Sequence, residues 1–180
     1  MKTLTLLRHA KSGWDDMVAR DFDRPLNAKG MRAARTMGRH MRAQGLTFDA
    51  VIASPAARVA ETLNDVWDGY GEALAPNWDR RVYLASAATL LDLIREVPAS
   101  ADRLLLVGHN PGLEDLVLML VPDRADDRLR DDVEEKFPTA SLAELEFDVT
   151  EWAALAADSA VLKRFVRPRD LDAELGPDRD

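Results

Sequence analysis

The chain has 180 residues, 47% of them hydrophobic, and carries a formal net charge of −8. This length and hydrophobic content suit one domain with a buried core. The acidic balance argues against general nucleic-acid binding, which needs a basic surface, and the lack of cysteine excludes disulfides and thiolate metal sites.

The apolar runs are too short to cross a bilayer, the stretch 116–121 being among the longest. The N-terminus enters a predicted strand directly and lacks a signal-peptide pattern. We therefore expect a cytoplasmic protein without a membrane partner. Its oligomeric state is left open by the sequence.

The first predicted element is a strand over residues 3–8 that ends at Arg8 and His9. In open α/β sheets, ligands bind at the carboxyl ends of the strands, so such a strand would place a cation and an imidazole in a crevice. The alternative is a strand that simply stops at a charged residue. A polar loop follows, and then Asn27 is the predicted N-cap of a helix over 28–43.

The next strand, over residues 48–53, repeats this arrangement. Ser54 is the predicted N-cap of a helix that begins at Pro55 and continues to about residue 70. This places Arg58 in the first turns of the helix, near the carboxyl end of a second strand.

A third strand, over 104–108, ends at His109. Asn110 is a plausible N-cap there, and Pro111 would begin a helix that runs to about residue 120. Three strand ends therefore converge on two of the three histidines of the chain and on two arginines.

The remaining segments predict a short strand, a helix, an acidic loop and two late strands, over 81–84, 88–97, 122–138, 142–147 and 161–166. Strands that alternate with helices indicate a mainly parallel sheet covered on both faces, and the late strands indicate an antiparallel edge. We predict a three-layer α/β/α sandwich, with one domain over 1–171 and a polar, frayed C-terminal tail over 172–180.

Five segments together resemble the histidine phosphatase superfamily, which has the phosphoglycerate-mutase-like fold, and above all its SixA-like branch of phosphohistidine phosphatases. They occur in the order found in that family. The segments are 6–14 (LLRHAKSGW), 23–30 (DRPLNAKG), 54–62 (SPAARVAET), 107–113 (VGHNPGL) and 168–171 (PRDL).

The resemblance implies that His9 is the nucleophile and that Arg8, Arg58 and His109 form the phosphate pocket. Arginine matches the geometry of phosphate oxygens, and a neutral imidazole can attack phosphorus. The resemblance implies no metal and no cofactor, because these side chains supply the positive charge.

Each assignment has a structural alternative. Arg58 could form an ordinary helical ion pair with Glu61, and His109 could be a satisfied core histidine. Arg24 could contact substrate or make a turn-stabilising ion pair, and Ser12 could hold phosphate or cap a turn. The third histidine is expected on the surface of the helix over 28–43.

The sequence also departs from the family. Ala10 follows the predicted nucleophile where many relatives have glycine, and the stretch 80–84 has arginine where the mutase branch has its glutamate acid. A phosphohistidine substrate needs little acid assistance, because imidazole is a good leaving group. The predicted function is therefore a phosphatase acting on phosphohistidine in a protein.

Three other functions compete with this prediction. The first is a phosphatase of small phosphoesters or phosphosugars, with Asp79 or another carboxylate as the proton donor. The second is a non-catalytic phosphate-binding module, which would not need a nucleophile. The third is a two-histidine metal hydrolase, which lacks carboxylates beside either histidine.

Overall fold

A six-stranded sheet forms the centre of the protein in a computed structural model that describes residues 1–13 and 20–177. The strand order across the sheet is β3-β2-β4-β1-β5-β6. The strands are β1 Lys2–Arg8, β2 Ala50–Ala53, β3 Asn77–Trp78, β4 Arg103–Gly108, β5 Leu142–Phe147 and β6 Ala160–Val166.

The first four strands run parallel, and the last two form the antiparallel edge. β1 pairs with β4, which pairs with β2, and β2 pairs with β3, all in parallel. β5 lies antiparallel to β1, and β6 lies antiparallel to β5. The mainly parallel sheet with an antiparallel edge is therefore confirmed.

Helices cover both faces of the sheet. They are α1 Ala28–Ala43, α2 Ala57–Tyr70, α3 Ala87–Arg95, α4 Gly112–Leu120, α5 Arg128–Glu135 and α6 Pro168–Leu171. α1 and α2 pack on one face around Leu7 and Leu105, and α3, α4 and α5 pack on the other around Leu6 and Leu106. Successive residues of each strand thus face opposite layers. The predicted α/β/α sandwich is confirmed.

The helix α1 packs closely against the segment that follows His9. The side chain of Asn27 accepts a hydrogen bond from the Gly30 backbone N–H at 2.8 Å, so the predicted N-cap is confirmed. A Cβ at Gly30 would lie 2.2 Å from the carbonyl oxygen of Lys11. Only glycine permits this approach, which sets the helix beside the carboxyl end of β1.

The acidic stretch 122–138 contains a helix, so the prediction of a loop there was wrong. Leu129, Val133 and Phe137 recur every four residues, and they pack into the core formed with α3 and α4. This spacing places Leu129 and Val133 on one face of α5, and Phe137 continues the apolar row just beyond the end of the helix. The many charged residues around them hide the pattern in the sequence.

Two further predictions were wrong. Residues 81–84 do not form a strand, because Arg80–Val82 is a 3-10 turn and the edge strand β3 lies just before it. The tail is not frayed from residue 172, because Ala173–Leu175 forms another 3-10 turn and Leu175 is buried against the α1 side of the core. The domain boundary at residue 171 stays a prediction, and residues 178–180 lie outside the described part.

Candidate active site

The carboxyl ends of β1, β2 and β4 lie side by side and bring four predicted residues together. Arg8 is paired with Gly108 in the sheet, so His9 and His109 follow adjacent strand ends. Their ring centroids are 5.3 Å apart. Arg58, from the first turn of α2, donates from Nε to His9 Nε2 at 3.4 Å. The sequence-predicted cluster is therefore present as one group of side chains.

The His9 ring is held in one tautomer. Its Nδ1 lies 2.7 Å from the carbonyl oxygen of Ala10, which can only accept, so Nδ1 carries the hydrogen. The lone pair is then on Nε2, the atom that faces Arg58. Burial lowers the pKa of His9, the positive charge of Arg8 acts in the same direction, and the resulting pKa is about 3. The ring is a neutral base at physiological pH.

Arg58 is buried, and all three nitrogen atoms of its guanidinium donate hydrogen bonds. Besides contacting His9, it donates from Nη1 to the backbone oxygen of Asp21 at 2.9 Å and from Nη2 to the Asp21 carboxylate at 3.0 Å. Its charge also lies over the Tyr83 ring, 5.9 Å from the ring centroid. Its ion-pair partner is thus Asp21 and not Glu61.

His109 contacts the Ser54 hydroxyl through Nε2 at 2.8 Å, and its buried Nδ1 has no hydrogen-bond partner among the described residues. Burial and the charge of Arg58 lower the pKa of His109 to about 4. Ser54 Oγ also accepts from the Ala56 N–H at 3.3 Å. A serine hydroxyl that accepts there can donate to His109 Nε2, which would leave the ring hydrogen on Nδ1.

The predicted N-cap roles of Ser54 and Asn110 need correction. α2 begins at Ala57, so Ser54 and Pro55 precede the helix, and Ser54 contacts His109 instead. α4 begins at Gly112, although Asn110 still accepts from the Glu114 N–H at 3.3 Å.

Arg8 points its guanidinium at the segment that follows α5. Nη1 donates to the carbonyl oxygen of Phe137 at 2.8 Å, and Asn110 donates to the same oxygen at 3.0 Å. The buried Nε of Arg8 has no hydrogen-bond partner among the described residues. Burial lowers the pKa of Arg8, and Glu114 acts in the opposite direction.

Ser12 and Arg24 belong to the same cluster through Asp21. Arg24 donates from Nη2 to Ser12 Oγ at 2.5 Å and from Nη1 to Asp21 at 2.9 Å. The turn-stabilising ion pair considered for Arg24 is therefore present, and it adjoins Arg58. Residues 14–19 of the predicted loop, with Trp14 of the family-like motif, lie outside the described residues.

Asp21 and Tyr83 also belong to the cluster, although no role is predicted for either from the sequence. The Tyr83 hydroxyl donates to the Asp21 carboxylate at 2.5 Å, and the Tyr83 ring packs edge-on against His109 with centroids 5.3 Å apart. The hydrogen bond from Tyr83, with those from Arg24 and Arg58, lowers the pKa of Asp21 to about 2. The sequence signal for a role of Asp21 is its position in the polar segment that directly precedes the family-like motif at 23–30.

Thr62 links the two sides of the cluster. Its hydroxyl donates to the Arg58 carbonyl oxygen at 2.6 Å and accepts from the Ala10 N–H at 2.8 Å. The Ala10 carbonyl in turn holds His9 Nδ1. The last residue of the motif at 54–62 therefore fixes the segment of His9 against the helix of Arg58.

Asp79, the candidate proton donor, is engaged elsewhere. Its carboxylate accepts from the backbone N–H of Arg81 at 2.9 Å and from the Arg81 side chain at 2.8 Å. The hydrogen bond from that side chain lowers the pKa of Asp79. Arg81 also binds Glu96 at 2.9 Å. An ionised carboxylate in this pairing is a poor proton donor.

Within residues 1–13 and 20–177, no group of three or more histidine, cysteine or carboxylate side chains is arranged to hold a metal ion. No helix in these residues has the length and apolar character that spanning a membrane requires.

Comparisons with known proteins identify the family of the chain. A sequence model of the histidine phosphatase superfamily (branch 1) matches residues 4–80. The uncharacterized protein Rv1276c of Mycobacterium tuberculosis is 34% identical over 164 residues, which cover 91% of this chain and 100% of the relative.

Two solved structures are also similar. The candidate phosphohistidine phosphatase SixA of Nakamurella multipartitia has a TM-score of 0.81 and 30% identity, and the match covers 93% of this chain and 96% of that one. The candidate SixA of Agrobacterium tumefaciens has a TM-score of 0.75 and 28% identity, with 93% and 98% covered.

Proposed function

The chain belongs to the histidine phosphatase superfamily, and on that premise we propose that it removes the phosphoryl group from phosphohistidine in a protein through His9. That it is a phosphatase follows from the family and from its SixA-like neighbours. The observation that carries the finer proposal is the His9 ring, which is neutral and directs its Nε2 lone pair toward a buried arginine.

In the first step, His9 Nε2 attacks phosphorus. The new P–N bond forms as the P–N bond to the substrate imidazole breaks, and the leaving nitrogen takes a proton from solvent. In the second step, water attacks the phosphorylated His9, the P–Nε2 bond breaks, and inorganic phosphate leaves. The neutral state of His9 at physiological pH suits it for the first step.

The guanidinium of Arg58 is the proposed clamp for the phosphoryl oxygens. Its Nη1 and Nη2 now hold the backbone and carboxylate oxygens of Asp21, which are the kind of paired acceptors that a phosphoryl group would offer. Arg8 and the Nδ1–H of His109 would bind the remaining oxygens. Both have a buried nitrogen without a partner among the described residues.

The surroundings of the carboxylates favour phosphohistidine over an alkyl phosphate. Asp21 has a pKa of about 2 and is ionised at neutral pH, so it would not protonate a leaving group. Asp79 is paired with Arg81. An imidazole leaving group needs little protonation, whereas an alkoxide leaving group depends on a general acid for about 10²–10⁴ of its rate.

The proposal is tested by comparing kcat/KM on a phosphohistidine-bearing protein with kcat/KM on an alkyl phosphate and an aryl phosphate. We expect the phosphohistidine protein to be hydrolysed fastest and the alkyl phosphate slowest. A higher kcat/KM on the alkyl phosphate would instead identify a phosphatase of small phosphoesters. No turnover of any substrate would favour a phosphate-binding module.

A further inference from the structure

A groove of about 460 Å³ lies beside the candidate active site, on the side of α1 and the C-terminal segment. Its apolar floor includes Ala33, Pro138 and Leu175. Six cationic side chains line it, and none of its described lining residues is acidic. The cations are Arg8, Lys11, Lys29, Lys136, Arg167 and Arg169.

This concentration of positive charge contrasts with the rest of the chain, whose net charge is −8. A local cationic groove in an acidic protein attracts and orients an anion without making the whole surface adhesive. The charge of its lining residues therefore means that the groove favours anionic ligands over neutral or cationic ones.

The cations in the groove differ in how far they are already neutralised. Arg167 is bound to the Asp170 carboxylate at 3.0 Å, and Lys29 donates to the Gly176 carbonyl at 2.5 Å, which fastens the C-terminal segment to α1. Lys136 and Arg169 are exposed and make no side-chain ion pair in the described part of the chain. These two side chains are the ones best able to contact a ligand.

The groove is continuous with the candidate active site through Arg8. Arg8 lines the groove, precedes His9 in the chain, and donates to the carbonyl oxygen of Phe137, the residue next to Lys136. His9, Arg58 and His109 are not among the described residues that line it. A substrate whose phosphoryl group reached His9 could therefore extend past Arg8 toward Lys136.

From this continuity we infer that the groove binds acidic side chains of the substrate protein that flank its phosphohistidine. The inference rests on the proposed function, in which the leaving group is part of a polypeptide. Carboxylates near the phosphohistidine would be oriented by Lys136 and Arg169, and the net negative charge elsewhere would disfavour other approaches. The protein then selects phosphohistidine sites in acidic surroundings.

The test compares two phosphohistidine peptides that differ only in having glutamate or glutamine on both sides of the phosphohistidine. The measured quantity is the ratio of their kcat/KM values for the wild type and for the double variant Lys136→Gln, Arg169→Gln. The matched control is Arg124→Gln, Lys163→Gln, which removes the same charge outside the groove. Assays run at about 20 mM and about 150 mM salt, since salt screens exposed charges.

We expect the wild type to favour the glutamate peptide about tenfold at low salt, because each of two exposed ion pairs should change the ratio about threefold. The ratio should approach one in the Lys136, Arg169 variant and at higher salt, and should keep most of its value in the control. A ratio near one in the wild type overturns the inference, and so does an equal fall in the control.

The experiment distinguishes failure of the proposed function from failure of the inference about the groove. If neither peptide is hydrolysed, the proposed function fails and the inference fails with it. If both are hydrolysed at equal rates, only the inference fails. If the wild type shows no preference while pyrophosphate inhibits it in a manner that depends on Lys136 and Arg169, the groove binds a small polyanion and the inference is overturned.

Discussion

Replacing Arg58 by lysine tests whether the site needs a guanidinium or only a positive charge. Arg58 makes three directed hydrogen bonds, two to Asp21 and one to His9. A lysine ammonium is a single point donor and cannot bind two phosphoryl oxygens in the planar manner of arginine. Loss of one donor to developing charge costs about 10²–10³ in rate. We therefore expect kcat/KM to fall about 10²-fold for Arg58→Lys and about 10³-fold for Arg58→Ala.

The same change should affect stability much less. The Arg58 side chain is 5% exposed and that of Asp21 is 43% exposed, so solvent reaches the carboxylate of the ion pair and screens it. Such a pair contributes about 1 kcal/mol or less to the free energy of unfolding. Urea unfolding of Arg58→Lys should therefore show a small shift in midpoint beside a large loss of activity.

The assay is steady-state hydrolysis of the phosphohistidine protein, with Arg35→Lys as the matched control. Arg35 also binds two carboxylates, those of Asp65 and Asp68, but it does so on the outer side of α1 and α2. We expect Arg35→Lys to keep the wild-type rate. If Arg58→Lys also keeps most of it, Arg58 acts as a point charge and the proposed bidentate clamp is refuted.

Four further predictions follow from the site and the core. His9→Ala should abolish hydrolysis without unfolding the protein. Brief reaction with labelled substrate should leave acid-labile, base-stable label on the wild type alone. Label on the variant would show that another residue is the nucleophile. Asp79→Asn should lower turnover less than a few-fold on both phosphohistidine and alkyl phosphate, because this carboxylate is bound to Arg81. Severe and equal losses on both substrates would show that Asp79 is the general acid after all. NMR titration should find His9 and His109 neutral from pH 8 down to 5, since burial lowers their pKa to about 3 and about 4; a midpoint near 6.5 for either ring contradicts this. Lys2→Met should lower the free energy of unfolding by about 1–3 kcal/mol, because the buried ammonium of Lys2 pairs with Asp102 and donates to the carbonyl oxygens of Ala99 and Ala101. The Ala99 oxygen would lose this donor, whereas the Ala101 oxygen would keep the one from Trp152; an unchanged urea midpoint would show that the pairing contributes nothing net.

The parts of the site that lie at strand ends could be predicted from the sequence. Arg8, His9 and His109 follow apolar runs directly, and parallel strands bring such ends to one edge of the sheet. Arg58 follows the same logic, because α2 begins just beyond β2. The apolar runs, together with the rule that parallel strands end at the same edge of the sheet, are sufficient to predict the positions of these four residues.

Asp21 and Tyr83 could not be predicted in this way. They are 62 positions apart in sequence, and neither belongs to a periodic segment whose direction reveals what it faces. Their contact depends on how a polar loop and a 3-10 turn pack over the sheet edge. Helix α5 was missed for another reason: its apolar spacing is present, but it is sparse among charged residues.

The Thr62 linkage has a consequence for how the site would respond to substrate. His9 Nε2, the proposed attacking nitrogen, and Arg58, the proposed clamp, belong to residues that are joined by hydrogen bonds through Ala10, Thr62 and the Arg58 carbonyl, so they form one preorganised frame. Asp21 contacts that frame from outside, through hydrogen bonds that a phosphoryl group can replace. In the proposed reaction, the Asp21 segment would therefore be the part that rearranges when substrate binds, while the geometry of attack would be set before substrate arrives.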